Sequence, residues 1–103
     1  NLGVLYDDGL GVAQSHSQAV KWYRLAAEQG YARAQYNLGI SYYNGEGVAE
    51  DNVQAYKWLH IASKRGIKGA AKDREDTAEV MTSGEIAEAQ KLAREWMVKH
   101  PRK

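Results

Sequence analysis

An internal repeat of 36 residues limits what this chain of 103 residues can fold into more than any other feature. When residues 1–36 are laid over residues 37–72 without a gap, fifteen positions are identical, and four of them are glycines. Repetition at this period is typical of stacked supersecondary units, each of which buries its apolar face against the next. We therefore expect a single domain built as an array of similar units.

Two helices are predicted in each unit. In residues 31–44 small and apolar side chains recur every four positions, and in residues 51–65 they recur at spacings of three and four. Both patterns place these side chains on one face of a helix. Asp51 precedes the second helix with a side-chain oxygen suited to cap it, and Ser15 stands at the equivalent place. The chain is therefore predicted to be all-α.

Glycines mark the predicted ends and crossings of these helices. Gly30 and Gly66 stand where the second helix of each unit should stop, at the position that takes a positive φ. Gly3 and Gly39 fall inside the first helix, where glycine costs about 1 kcal/mol relative to alanine. The recurrence of an unfavourable residue predicts that a neighbouring helix passes too close for a side chain.

The loop within each unit is also rich in glycine, reading "GLGVAQS" at residues 9–15 and "GEGVAED" at residues 45–51. A loop that cradles a phosphate follows a strand and opens a helix directly, and its dinucleotide-binding form has a third glycine. Because this loop follows a helix and lacks that glycine, we interpret it as a structural turn. Gly45 is expected to be left-handed, Gly47 to let the chain reverse, and Val48 to fill the gap between the helices. Gly9, Gly11 and Val12 are expected to do the same in the first unit.

Together these residues form the pattern "NLGxxYxxGxGVAxxxxxAxxWxxxAAxxG…A", which runs from 1 to 34 and again from 37 to 70, with Ser63 in place of one alanine. The pattern resembles the Sel-one-like repeat (SLR), a 36-residue relative of the tetratricopeptide repeat. The resemblance implies a right-handed α/α solenoid of antiparallel helix pairs, with units at 1–36 and 37–72. It also implies a role as a protein–protein adaptor in signalling or quality-control assemblies.

Residues 67–103 are expected to form a C-terminal capping helix pair, because the terminal unit of an array is normally polar on its outer side. The stretch "KDREDTAE" supplies six charged residues in eight. Thr82 and Glu85 have the spacing of a capping box that opens the last helix, and Pro101 should stop it. The segment "GEIAEAQKLAREW" resembles the closing helix of bacterial SLR proteins, which favours a bacterial source.

The first unit is predicted to be truncated at its N-terminus, because Asn1 aligns with Asn37 in the middle of a first helix. The eight or so residues that remain are fewer than a lone helix needs. We therefore hypothesise that the chain is a fragment of a longer array. Its first helix would then be frayed, or open to self-association through the apolar residues Leu2, Val4, Leu5 and Tyr6.

The sequence shows few signals of a catalytic site, a metal site or a nucleic-acid-binding surface. There is no cysteine, and His16, His60 and His100 stand far apart without metal-ligand spacing. The formal net charge is only +1, and the basic stretches at 64–68 and 99–103 lie at a helix end and a terminus, where cations are expected. No apolar run approaches a membrane span. We therefore predict no catalytic residue, cofactor or metal, and neither nucleic acid nor membrane as a partner.

Some aromatic residues recur with the repeat, and others do not. Trp22, Trp58 and Tyr42 recur with the repeat, as does Tyr6, and are predicted to pack between helices. Tyr36 and Tyr43 have no counterpart in the neighbouring unit, so they are better candidates for contacting a partner. The positions predicted to project into the concave groove are Arg33, Tyr36, Asn37, Ile40, Tyr43 and Asn44. Asn1, Val4, Asp7 and Asp8 are expected there from the preceding unit, and Lys72, Asp73 and Asp76 follow.

The resemblance also implies roles for individual groove residues. In tetratricopeptide repeats, asparagines and basic residues of the first helix hold an extended peptide by its backbone or carboxylate. That role would fall to Asn1, Asn37, Arg33 and Lys72. For Asn37 the alternative is a hydrogen bond to the neighbouring unit only.

We therefore predict a non-catalytic module that binds a protein or peptide. Two alternatives stay open. One is a hydrolase-like activity on cell-wall components, proposed for some proteins of this type, although no nucleophile, base and orienting group can be assembled from this sequence. The other is a purely structural segment whose only partner is the rest of its own array.

Overall fold

Five α-helices follow one another along residues 15–101, the part of the chain that this computed structural model describes. They are α1 (Ser15–Glu28), α2 (Ala32–Asn44), α3 (Asn52–Lys64), α4 (Ala70–Ala78) and α5 (Ser83–Lys99). Helix α2 packs against α1 and α3, and α3 also packs against α4 and α5. No strand occurs in residues 15–101, so the predicted all-α class is confirmed.

Glycines end the second helices as predicted. Gly30 has φ +95° and Gly66 has φ +87°. After α1, the N–H groups of Tyr31 and Gly30 donate to the carbonyls of Ala26 and Ala27, at 3.1 and 3.0 Å. This is a Schellman motif, which satisfies carbonyls that the helix end would otherwise leave free. The same two bonds close α3, where Ile67 and Gly66 donate to Ala62 and Ser63 at 3.1 Å each.

The glycine-rich loop between α2 and α3 is a structural turn. Gly45 and Gly47 have φ +70° and +75°. A Cβ on Gly47 would clash with the backbone oxygen of His16, so the loop touches the start of α1 without room for a side chain. Val48 is partly buried against the core, and Asp51 caps α3 by accepting the N–H of Gln54 at 3.1 Å. The predictions for Gly3, Gly9, Gly11 and Val12 concern positions outside the described residues.

Gly39 lies where α2 and α3 come closest. A Cβ at this position would lie 2.9 Å from Cγ of Leu59 and 3.2 Å from the carbonyl oxygen of Ala55. Both contacts are shorter than ordinary van der Waals separations, so alanine would push the helices apart. The predicted close crossing at this glycine is confirmed.

The core brings together side chains from α1, α2, α3 and α5. Tyr23, Leu38, Trp58, Ile61 and Trp96 belong to one buried cluster. Trp58 and Trp96 pack edge to face with ring centroids 5.5 Å apart, an arrangement that aromatic pairs prefer. Burying each such side chain stabilises the fold by about 1.5–3 kcal/mol.

Trp22 does not pack as predicted. Its side chain is 41% exposed, whereas Trp58, its counterpart in the next unit, is 3% exposed. Leu25 and its counterpart Ile61 differ in the same way, at 58% and 0%. Trp58 and Ile61 share the buried cluster with α1 residues such as Tyr23, and the described residues provide no equivalent helix against Trp22. The repeat fixes which face is apolar, and the neighbour decides whether it is buried.

The terminal helices have the expected caps. Thr82 and Glu85 form a capping box, with the Glu85 N–H donating to Thr82 Oγ1 at 3.1 Å and the Thr82 N–H donating to Glu85 Oε1 at 2.8 Å. Helix α5 ends at Lys99, two residues before Pro101. The indole Nε1 of Trp96 in α5 donates to Glu28 Oε1 at 2.8 Å, and this bond joins the last helix to α1.

One basic residue near the α3 end has a structural role. Arg65 Nη1 donates to the carbonyl of Gly30 at 3.0 Å, and its guanidinium lies 5.6 Å from the ring centroid of Trp96. Arg65 thereby joins the turn after α1 to the last helix. Part of the basic stretch at 64–68 is therefore used inside the fold.

Candidate functional site

A cleft of about 200 Å³ lies between α2 and α4, the first helices of neighbouring pairs. Each helix contributes three side chains at i, i+3 and i+4, a spacing that places them on one helical face. The lining residues are Ile40, Tyr43, Asn44, Asp73, Asp76 and Thr77. Five of the six lining residues, all except Thr77, are therefore residues that the sequence predicted to project into a groove.

Tyr36 joins the two walls next to the cleft. Its hydroxyl donates to Oδ2 of Asp73 at 2.5 Å. This hydrogen bond, together with partial burial and the negative charge of Asp73, raises the pKa of Tyr36 to about 12, against a smaller opposing effect of Arg33. Tyr36 therefore stays neutral at physiological pH and serves as a donor that holds Asp73 in place.

Lys72 and Arg33 lie at the solvent side of this region. The Lys72 ammonium lies 3.3 Å from Oδ2 of Asp76 within α4, and the two side chains are 80% and 47% exposed. Exposed pairs at this spacing contribute only about 0.3–0.5 kcal/mol. The Arg33 side chain is exposed as well. Both cations can therefore change conformation at little cost.

Asn37 is half-buried on α2. Its backbone carbonyl accepts a hydrogen bond from Ser41 Oγ at 3.0 Å. Its side-chain amide makes no hydrogen bond within residues 15–101. Outside the described residues lie Asn1, Val4, Asp7 and Asp8.

Asp73 and Asp76, which the sequence placed after Lys72 in the groove, form the α4 wall together with Thr77, which the sequence did not single out. The repeat itself carries the signal, because these positions lie one period after Asn37, Ile40 and Ser41. Thr77 Oγ1 donates to the carbonyl of Asp73 at 2.8 Å, as Ser41 does to Asn37. Both units therefore keep a hydroxyl that donates to a carbonyl of its own helix, whereas the other residues of the wall differ between the units.

On the opposite side of α4, Arg74 connects the last pair to α3. Arg74 Nη1 lies 3.1 Å from Nδ1 of His60 and 3.3 Å from Ser63 Oγ, and the His60 ring stacks on Tyr56 with centroids 6.0 Å apart. Burial lowers the pKa of His60, and the positive charges of Arg74, Lys64 and Arg94 lower it further. The neutral imidazole is thus the form that fits this contact, accepting at Nδ1.

A larger and more open depression lies on the outer face of α5. It measures about 640 Å³ and is lined by Lys91, Arg94, Glu95, Val98 and Lys99. These residues all come from one helix, so no second wall from residues 15–101 orients a ligand there. The cleft between α2 and α4, with two walls and a hydrogen bond between them, is the better defined candidate.

Within residues 15–101, no three His, Asp or Glu side chains stand close enough to hold a metal ion. None of the five helices combines the length and apolar character needed to cross a membrane.

Comparison with known proteins places the chain among helical repeat proteins. The crystal structure of a protective antigen present in uropathogenic Escherichia coli strains, which displays an SLR fold, aligns with a TM-score of 0.89 and 37% identity over 96% of this chain and 21% of the antigen. A Sel1 repeat protein from Oxalobacter formigenes aligns with a TM-score of 0.67 and 44% identity over 71% of this chain and 30% of that protein. The predicted helical repeat solenoid is therefore confirmed.

Sequence comparison agrees with the structural likeness. A sel1-like repeat-containing protein of Acanthamoeba polyphaga mimivirus is 50% identical over 37 residues, which are 36% of this chain and 7% of that protein. This chain thus spans less than a third of the length of each of these relatives. The family model of the Sel1 repeat matches residues 1–31 and 32–67, more than half of the sequence. The chain belongs to the Sel1 repeat family.

Proposed function

We propose that this protein is a non-catalytic binding module that holds an extended peptide segment of another protein in the cleft between α2 and α4. Sel1 repeat proteins generally act as protein-interaction modules. The observation that carries the proposal is that side chains which do not recur, Tyr43 of α2 and the acidic residues of α4, meet at one cleft. The recurring residues are used instead for the core and the turns.

The cleft supplies the two kinds of contact that peptide recognition needs. Ile40 and Tyr43 are half-buried and offer apolar surface, which gives most of the energy in protein interfaces. Asn44 and Asp76 offer polar groups at the rim, which set register and orientation. The Tyr36–Asp73 hydrogen bond holds the two walls together before binding, which lowers the entropy cost of association.

A peptide selection tests this proposal. A random heptapeptide phage library is selected on the wild-type protein, and the affinities of synthetic copies of the selected peptides are measured by fluorescence anisotropy. Tyr43→Ala should weaken binding about tenfold or more, because it removes an aromatic anchor. Tyr31→Ala is the matched control, since Tyr31 is an exposed tyrosine outside the cleft.

Two results would count against the proposal. One is a set of peptides that bind wild type and Tyr43→Ala equally well. The other is turnover of cell-wall oligosaccharides or peptides by the purified protein that is unaffected by Tyr43→Ala, which would favour the hydrolase alternative.

We also propose a supporting role inside a longer helical array, on a different observation. Trp22 and Leu25 are exposed at positions whose counterparts Trp58 and Ile61 are buried against α1. An additional helix pair packed before α1 would bury them in the same way. Hydroxyl-radical labelling tests this role: Trp22 should react more slowly in a longer array that contains this chain than in the 103-residue chain, and equal rates would contradict it.

A further inference from the structure

We propose that the cleft between α2 and α4 selects a basic side chain, lysine or arginine, in the bound peptide. The aliphatic part of that side chain would lie against Ile40 and Tyr43, and its cationic end would reach Asp73 and Asp76. This inference rests on the proposed peptide-binding function and adds the chemistry of the residue recognised. Three features of the cleft support it.

The first feature is the sign of the charge in the lining. Asp73 and Asp76 are the only charged side chains among the described residues that line the cleft. Lys72 and Arg33 lie nearby, but neither contributes to the lining. A cation entering the cleft is therefore attracted, and a peptide carboxylate is repelled. This runs opposite to the carboxylate recognition that the resemblance to tetratricopeptide repeats implies.

The second feature is the unused hydrogen-bonding capacity of the two carboxylates. Tyr36 bonds to Oδ2 of Asp73, and Lys72 bonds to Oδ2 of Asp76. Within residues 15–101, the Oδ1 atom of each carboxylate accepts no hydrogen bond. Because an ionised carboxylate has about four acceptor sites, both groups can still accept bonds from an ammonium or a guanidinium.

The third feature is the shape and apolar character of the α2 wall. The volume of about 200 Å³ is below the ~300–1,000 Å³ of pockets for drug-sized ligands, so it suits one long side chain. Lysine and arginine bury their methylene stems against apolar surface while their charged ends stay at polar groups. Ile40 supplies that surface, and the ring of Tyr43 adds a favourable contact with a cation.

Lys72 is the internal competitor in this arrangement. Its ammonium occupies one oxygen of Asp76 at 3.3 Å while the side chain is 80% exposed. Such a pair is weak and easily exchanged. A lysine or arginine of the peptide would therefore take over Asp76, and removing Lys72 should help binding.

The test uses the peptides selected on the wild-type protein, each compared with a copy in which its lysine or arginine is replaced by glutamine. The selection should enrich lysine or arginine at one position. Asp76→Asn should weaken the basic peptide about two- to fivefold and leave the glutamine copy unchanged. Lys72→Gln should strengthen the basic peptide. Glu88→Gln is the matched control for charge, because Glu88 is exposed on α5 outside the cleft.

The outcomes separate this inference from the function on which it rests. If Tyr43→Ala weakens binding of the selected peptides but the peptides show no preference for lysine or arginine, the inference is overturned and the proposed function stands. An equal effect of Asp76→Asn on the basic peptide and its glutamine copy would overturn the inference as well. If no selected peptide depends on Tyr43, the proposed function itself is wrong.

Discussion

The hydroxyl of Tyr36 donates a hydrogen bond of 2.5 Å to Oδ2 of Asp73, and this contact joins the first helices of two neighbouring pairs. Neither residue recurs at the equivalent position of the adjacent unit, where the period places Lys72 after Tyr36 and Asn37 before Asp73. The contact is therefore specific to this junction. It links α2 directly to α4, both of which pack on α3, at the edge of the cleft.

Tyr36→Phe should remove a distinct alkaline titration step. The hydrogen bond to Asp73 is the main cause that raises the pKa of Tyr36 to about 12, so the folded state keeps this proton longer than the unfolded state does. The resulting stability is present below pH 10 and is lost as the pH rises through about 12. Absorbance of tyrosinate at 295 nm measures the step. It should persist in Tyr31→Phe, and its persistence in Tyr36→Phe would contradict the assignment.

Acidification should destabilise the protein through His60. Because burial, followed by the charge of Arg74, lowers the pKa of His60 below its usual 6.5, the unfolded state binds more protons than the folded state in the window just below 6.5. Stability is therefore greatest above about pH 6.5 and falls as the pH drops through that window. Urea unfolding at several pH values measures this slope. His60→Gln should reduce this slope, and an equal slope in the wild type and His60→Gln would disprove the role of His60.

Gly39→Ala should destabilise the fold even though alanine favours helices. The new Cβ would lie 2.9 Å from Leu59 Cγ and 3.2 Å from the Ala55 carbonyl. Overpacking of this kind costs about 1–3 kcal/mol, more than the ~1 kcal/mol gained in helix propensity. Gly84→Ala in α5 is the control, because its Cβ would come no nearer than 3.9 Å to Thr82 Oγ1. Thermal unfolding should show a loss of stability for the first variant and none for the second; the reverse order would refute the close crossing.

Trp58→Ala and Trp22→Ala should differ strongly although the two residues are equivalent in the repeat. Truncating the buried Trp58 should cost about 3–5 kcal/mol, as is typical of large aromatic residues in cores. Truncating Trp22, whose side chain is 41% exposed, should lower the free energy of unfolding much less. Free energies of unfolding from urea titrations provide the comparison, and similar losses in both variants would show that Trp22 is packed after all.

The helix pairs were predictable because their signals are local. A helix over 31–44 was expected and Ala32–Asn44 is observed; for the next helix the ranges are 51–65 and Asn52–Lys64. Asp51 caps its helix through its own side chain, and Gly30 closes its helix by adopting a positive φ. Such interactions involve residues only a few positions apart, so the sequence pattern contains them.

Contacts between units were harder to predict because they depend on neighbours. Trp22 and Trp58 have the same place in the repeat, yet only Trp58 is buried, since only it has a further helix against it among the described residues. The pairing of Tyr36 with Asp73 depends on the distance between two helices, which periodicity does not specify. Helical phase did predict Ile40, Tyr43 and Asn44 at the cleft, followed by Asp73 and Asp76, while the contribution of Thr77 required the coordinates.

The most direct test of the account is an NMR titration of the ¹⁵N-labelled protein with a selected peptide. If the cleft binds it, amide shift changes should concentrate at residues 40–44 and 73–77 and should vanish in Tyr43→Ala. Changes confined to the outer face of α5, around Lys91, Arg94 and Val98, with residues 40–44 and 73–77 unaffected, would contradict the account.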